Sequence, residues 1–171
     1  GHPGWLWAPL VLVYVLMPLL DALIGEDTSN PPESAVPALE EDRYYRVVTW
    51  LIVPLLWCAF VGAAWYAATT ALPWHAWLGL ALSTGLVGGF CINAGHELGH
   101  KKSRFERMLA QLVLAPTAYG HFVVEHNRGH HRDVATPADP ASSRMGESIW
   151  RFARREWPGA WRRAWALERE R

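Results

Sequence analysis

Residues 47–70 form a run of twenty-four without a single charged side chain. That run constrains the chain more than anything else in it. At 1.5 Å per residue a helix of this length is about 36 Å long, enough to cross the hydrocarbon core of a bilayer. Residues 76–95 make a second uncharged run of twenty, and residues 5–24 a third apolar run, weakened by Pro9, Pro18 and Asp21. Prolines are tolerated in membrane helices where neighbours re-satisfy the backbone. The expected fold class is therefore all-α: a polytopic transmembrane helical bundle, with histidine-rich segments on its cytoplasmic side. The 171 residues read as one membrane domain.

Polar stretches separate the runs. Residues 25–46 are acidic and broken by Pro31, Pro32 and Pro37, which reads as a loop outside the bilayer. Eleven tryptophans are a large excess, and Trp gathers at membrane–water interfaces. A formal net charge of zero argues against nucleic acid. Cys58 and Cys91 lie inside apolar stretches and read as small buried residues.

On the run of residues 76–95, Ala81, Gly85 and Gly89 recur every four residues, with Gly88 beside them. The spacing predicts a face where helix backbones approach closely. Residues 108–124 are moderately apolar, with Gln111, Pro116, Gly120 and His121 inside, and read as a re-entrant or short membrane segment. Residues 144–171 carry eight Arg and four Glu, with Trp157, Trp161 and Trp165 on one helical face. Arg154, Arg155, Arg162 and Arg163 fall largely on another, which describes an interfacial amphipathic helix.

Two histidine groups sit at the ends of apolar segments. The first is NAGHELGHKK, residues 93–102, with His96 and His100 at i, i+4. The second is EHNRGHH, residues 125–131, where His126 and His130 repeat that spacing and His131 points about 100° further round. Side chains four apart share a helix face and can meet one ion. Five histidines in two spaced groups point to a metal site. Neutral imidazole suits Fe, Zn, Cu or Ni, so ligand type alone does not choose the metal. A metal-bound His gives its other N–H to a carboxylate or carbonyl, and Glu97, Glu125 and Asp133 are the carboxylates nearby in sequence. His121 lies outside both spacings and reads as a hydrogen-bonding residue of the fold. Lys101, Lys102, Arg104 and Arg107 follow the run of residues 76–95 closely, and the positive-inside rule puts both groups in the cytoplasm.

HELGH also satisfies H-E-x-x-H, the zinc-protease pattern with Glu97 as general base. Catalytic zinc needs only three protein ligands, fewer than the five histidines here. A membrane metal-binding or transport protein would place ionisable groups within the spans, and apart from Asp21 there are none.

The blocks HELGHK and EHNRGHHRDVATPADPASSRMGES resemble the integral-membrane alkane 1-monooxygenases, within the wider membrane desaturase and hydroxylase superfamily. The loop GEDTSNPPESAVPALEEDRYYR resembles them too. The resemblance implies a di-iron centre, two non-haem irons held by histidines on the cytoplasmic face of a bacterial inner membrane. It implies O2-dependent hydroxylation of a terminal alkane C–H, with rubredoxin and its reductase supplying electrons and alkane arriving from the lipid. By motif, His96 and His100 match the first ligand pair, and His126, His130 and His131 the second group. His121 matches a position not counted as a ligand. The family pattern includes a further H-x-x-H-H cluster downstream, which does not follow His131 here. The chain therefore reads as a fragment holding part of the ligand set and inactive alone. A fatty-acyl desaturase or another hydroxylase of the superfamily is the alternative nearest in chemistry.

Overall fold

The computed structural model describes residues 2–170. Arg171, the last residue of the segment expected to be interfacial, lies outside them. Among the described residues the structure is helical, with no strand. Three helices are long and apolar enough to cross a membrane: α1, Pro3–Ile24; α3, Arg43–Thr69; and α4, Trp74–His100. Between α1 and α3 lies the short helix α2, Val36–Glu41. After α4 come α5, Arg104–Leu114, then α6, residues 122–133, and α7, Ile149–Arg169. The backbone divides into two compact units, residues 1–93 and 94–171.

In the first unit, the prolines shape α1. Pro18 has no N–H for the carbonyl of Tyr14, and its ring crowds that oxygen. The turn just before it, Leu12–Leu16, widens to π-type hydrogen bonding. Pro54 lies inside α3, which continues past it. Ser83 of α4 donates to the carbonyl of Leu6 at 2.6 Å, tying α4 to α1. Close approach occurs at Gly79, where a Cβ would come within 2.6 Å of the Trp7 indole nitrogen. This corrects the small-residue face expected from sequence. A Cβ at Gly85 or Gly89 would meet nothing within 4 Å. Those two and Ala81 instead line an open groove with Leu10 and Tyr14. The period of four was correctly read, but a helix face lacking side chains serves a groove as well as a contact.

The second unit is built around Leu98, Leu109, Ala110, Val113 and Leu114, with Ala160, Ala164 and Leu167 of α7 also buried. Here glycine does permit contact: a Cβ at Gly95 would lie 2.7 Å from Leu114 Cγ. Helix α5 ends at Leu114, and Ala118 takes the left-handed conformation (φ 55°) in the turn that follows. The chain then returns as α6, so residues 108–124 are not one of the three candidate spans.

Helix α7 is capped by Ser148, whose side chain accepts from the Arg151 N–H. Trp157, Trp161 and Trp165 are more than half exposed, while Glu156, Ala160, Ala164 and Leu167 form the inward stripe. The four arginines expected on one face divide. Arg155 and Arg163 turn inward to the loop of residues 134–148. Arg155 forks onto Glu147 (2.7 and 3.2 Å) and donates to the carbonyls of Pro140 (2.7 Å) and Ser142 (2.9 Å).

That fork holds the Glu147 carboxyl down at about 2, through Arg155 first and the Arg144 N–H second. A depressed carboxylate stabilises the fold above its unfolded pKa and loses that contribution as pH falls toward 2. Glu147→Gln is therefore expected to flatten the pH dependence of unfolding between about pH 4.5 and 2 and to leave its shape near neutrality unchanged. Chemical denaturation across that window measures it.

Candidate metal centre

The last turn of α4 presents His96 and His100, and α6 presents the second group. The two meet at Gly99. A Cβ there would sit in ordinary contact with Val123, at 3.7 Å, and Asn127 of α6 donates to the Gly99 carbonyl at 3.4 Å. The Nε2 atoms of His96 and His100 lie 2.8 Å apart, and those of His100 and His126 lie 3.2 Å apart. The candidate ligand nitrogens of His96, His100 and His126 all lie within 4.8 Å of one another. The two groups thus form one site, which requires residues 108–124 to return rather than carry the chain away.

Helix α6 departs from the regular 3.6-residue turn where it matters. His126–His130 is a π-type turn. Widening the turn brings residues five apart onto one face, and His131 Nε2 lies 3.1 Å from His126 Nε2. This differs from the expected pairing of His126 with His130. His130 stacks on His126 (centroids 5.2 Å apart, 19° between planes) and sends its Nδ1 to Asp139 Oδ2 at 2.8 Å. Phe122 stacks on the opposite side of His126 at 4.7 Å.

These imidazoles fit a cation. Each Nε2 carries either a proton or a lone pair, never both. In a chain of contacts running His96, His100, His126, His131 through single nitrogens, His100 and His126 must each share one proton or one lone pair between two partners. A shared Lewis acid satisfies them together. Bonds of about 2.1 Å to one ion set neighbouring nitrogens about 3.0–3.4 Å apart, close to the separations here. Burial, and then the charges of His96, His131, His100 and His130, push His126 down to about 4. Its lone pair is therefore free at neutral pH, as a ligand's must be.

The carboxylates near in sequence behave differently from expectation. Glu97 is exposed and makes no hydrogen bond to an imidazole. Glu125 is buried at 2 % exposure, its Oε1 without a hydrogen bond and 3.7 Å from Arg163 Nε. Burial raises its carboxyl and Arg163 opposes that rise. Asp133 pairs with Arg132 (3.0 Å) and Arg163 (2.7 Å). His121 stands apart, edge-on to Tyr119 at 4.8 Å, and burial lowers it. The residues that sequence reasoning missed are Asp139, Arg163 and Phe122. Asp139 lies nine positions from its histidine, beyond the near neighbours that were weighed. The only local signal was Asp-Pro-Ala-Ser, an aspartate three residues before a serine that hydrogen-bonds back to it.

Comparison with known proteins adds a lineage to this geometry. Along its full length the chain is 58% identical to alkane 1-monooxygenase 1 of Alcanivorax borkumensis and 56% identical to alkane 1-monooxygenase of Pseudomonas putida. It is 42% identical over 98% of its length to alkane 1-monooxygenase 2 of Pseudomonas aeruginosa. The chain spans under half the length of these relatives, 43% of the first two and 45% of the third. The fatty acid desaturase family model matches residues 71–171, a stretch that holds all five clustered imidazoles and Asp139. On that match, and with three membrane-length helices, the chain is an integral membrane protein that belongs to the fatty acid desaturase family.

Proposed function

We propose that this chain forms the membrane anchor and part of the metal site of an alkane 1-monooxygenase. The observation that carries the reading is the meeting of His96 and His100 with His126 and His131 through their Nε2 atoms. The names of the relatives supply the substrate class. His96, His100, His126, His130 and His131 would hold iron, two ions in the whole protein. Bound iron would supply O2 activation, one oxygen atom entering a terminal C–H of the alkane and the other leaving as water. Two electrons from rubredoxin and two protons balance that reaction. On this reading the cluster lies on the cytoplasmic face of the inner membrane, as the basic residues after α4 suggest.

The chain's own residues have defined tasks. Helix α4 and the π-type turn of α6 hold the ligand nitrogens in place before metal arrives. Phe122, stacked on His126, shields one side of that ring from water. The apolar helices let a hydrocarbon approach without leaving the lipid.

In the native full-length protein, metal analysis is expected to find about two irons per chain. Supplied with rubredoxin, its reductase and labelled O2, the protein is expected to give labelled 1-alkanol. One tightly held zinc and no label in product would overturn the reading in favour of the H-E-x-x-H protease.

A further inference from the structure

Asp139 is one of the buried acids of the second unit, its side chain wholly buried although it sits in an irregular loop. A buried carboxylate needs partners. Oδ2 accepts from Ser142 Oγ at 2.5 Å and meets His130 Nδ1 at 2.8 Å. Oδ1 accepts from the Ala141 N–H at 3.1 Å and lies 3.5 Å from Arg163 Nη1. Arg163 is itself held. Its Nη2 donates to Asp133 Oδ2 at 2.7 Å, its Nη1 to the Ala138 carbonyl at 3.2 Å, and its Nε faces Glu125 at 3.7 Å. One guanidinium on α7 therefore gathers carboxylates from both ends of α6 and from the loop.

The geometry points to Asp139, oriented by Arg163, as the positioning residue for His130. This inference rests on the metal-site reading of the histidine cluster. An acceptor at Nδ1 fixes the proton there and leaves the lone pair on Nε2. It also fixes the plane of the ring, which otherwise meets the rings of His126 and His131. Without it, His130 is free to carry its proton on Nε2, where it cannot bind metal. Helix α7 thereby takes part in setting the ligand geometry, though it carries no histidine.

The test uses the native full-length protein in membranes. Asp139→Ala is expected to lower iron affinity about 10- to 100-fold and to reduce the number of imidazole scatterers seen by X-ray absorption at the iron edge. Asp139→Asn keeps an acceptor for Nδ1–H and is expected to recover most of that loss. Arg163→Lys, which keeps the charge but not the fork, is expected to fall between them. Thermal unfolding of each metal-free variant separates a positioning role from simple loss of fold. Unchanged iron affinity and an unchanged absorption edge in folded Asp139→Ala would overturn the inference. Wild-type protein that binds no iron would instead overturn the metal reading beneath it, so the two failures are distinct. A variant set in which Asp139→Ala and Asp139→Asn lose iron equally would also count against the tautomer-fixing role.

Discussion

Replacing His126 with alanine is expected, under the proposed function, to strip iron from the full-length protein and to lower alkane hydroxylation by well over ~100-fold, the upper range for losing a residue that merely supports a ligand. His126 is the hinge of the cluster. Its Nε2 contacts both His100 and His131, at 3.2 and 3.1 Å, and so joins the α4 pair to the α6 group. Its ring is also packed, with Phe122 on one face and His130 on the other. Alanine removes the proposed ligand atom and the surface against which His130 stacks. The matched control is His121→Ala, five residues earlier and packed against Tyr119 outside the cluster. That variant is expected to keep its iron. Metal content measured on membrane-inserted protein decides the matter, and equal iron in wild type and His126→Ala would remove this residue from the ligand set.

Gly129→Ala carries the second large expected effect, and its sign is informative. In an ordinary exposed helix, alanine is favoured over glycine by about 1 kcal/mol. Here a Cβ would lie 2.6 Å from Arg163 Nε and 2.9 Å from Glu125 Oε1. Arg163 cannot simply swing aside, because Asp133 and the Ala138 carbonyl hold its two outer nitrogens. Overpacking of this kind costs about 1–3 kcal/mol, enough to reverse the propensity gain. The displaced turn also carries His130 and His131, so iron affinity is expected to fall together with stability. Gly99→Ala serves as the comparison, since its Cβ would meet Val123 at an ordinary 3.7 Å. Denaturation of both variants reads the difference. A more stable Gly129→Ala would show that Arg163 is not held as the contacts imply.

Much of the fold was legible because membrane insertion is governed by composition. Uncharged runs long enough to cross a bilayer declare themselves without any knowledge of what they pack against. The histidine groups were legible for a similar reason, since five imidazoles at the ends of apolar segments have few ordinary uses. Packing was not legible in the same way. The period of four at Ala81, Gly85 and Gly89 identified a face without saying whether a helix or an open groove lay before it. The contacts that do need glycine on α4, at Gly79 and Gly95, face Trp7 and Leu114, which no local spacing relates to them. Likewise, the helical period places the arginines of α7 largely on one face, the basic side of an interfacial helix. Arg155 and Arg163 instead turn inward, because the loop before the helix offers carbonyls and carboxylates that no helical wheel displays.

By itself, then, the sequence determined the three membrane-length helices, the all-helical class and the residue types able to bind metal. These follow from local properties: length, charge and the chemistry of imidazole. Tertiary structure decided which nitrogens meet. The 3.6-residue period pairs His126 with His130, but the π-type turn pairs His126 with His131 and turns His130 toward Asp139. A widened turn is stabilised by what surrounds it, here the stacked Phe122 and the Arg163 network, and the Arg163 contacts join residues distant in the chain. The ligand types belong to the sequence, whereas their register and their carboxylate support belong to the fold.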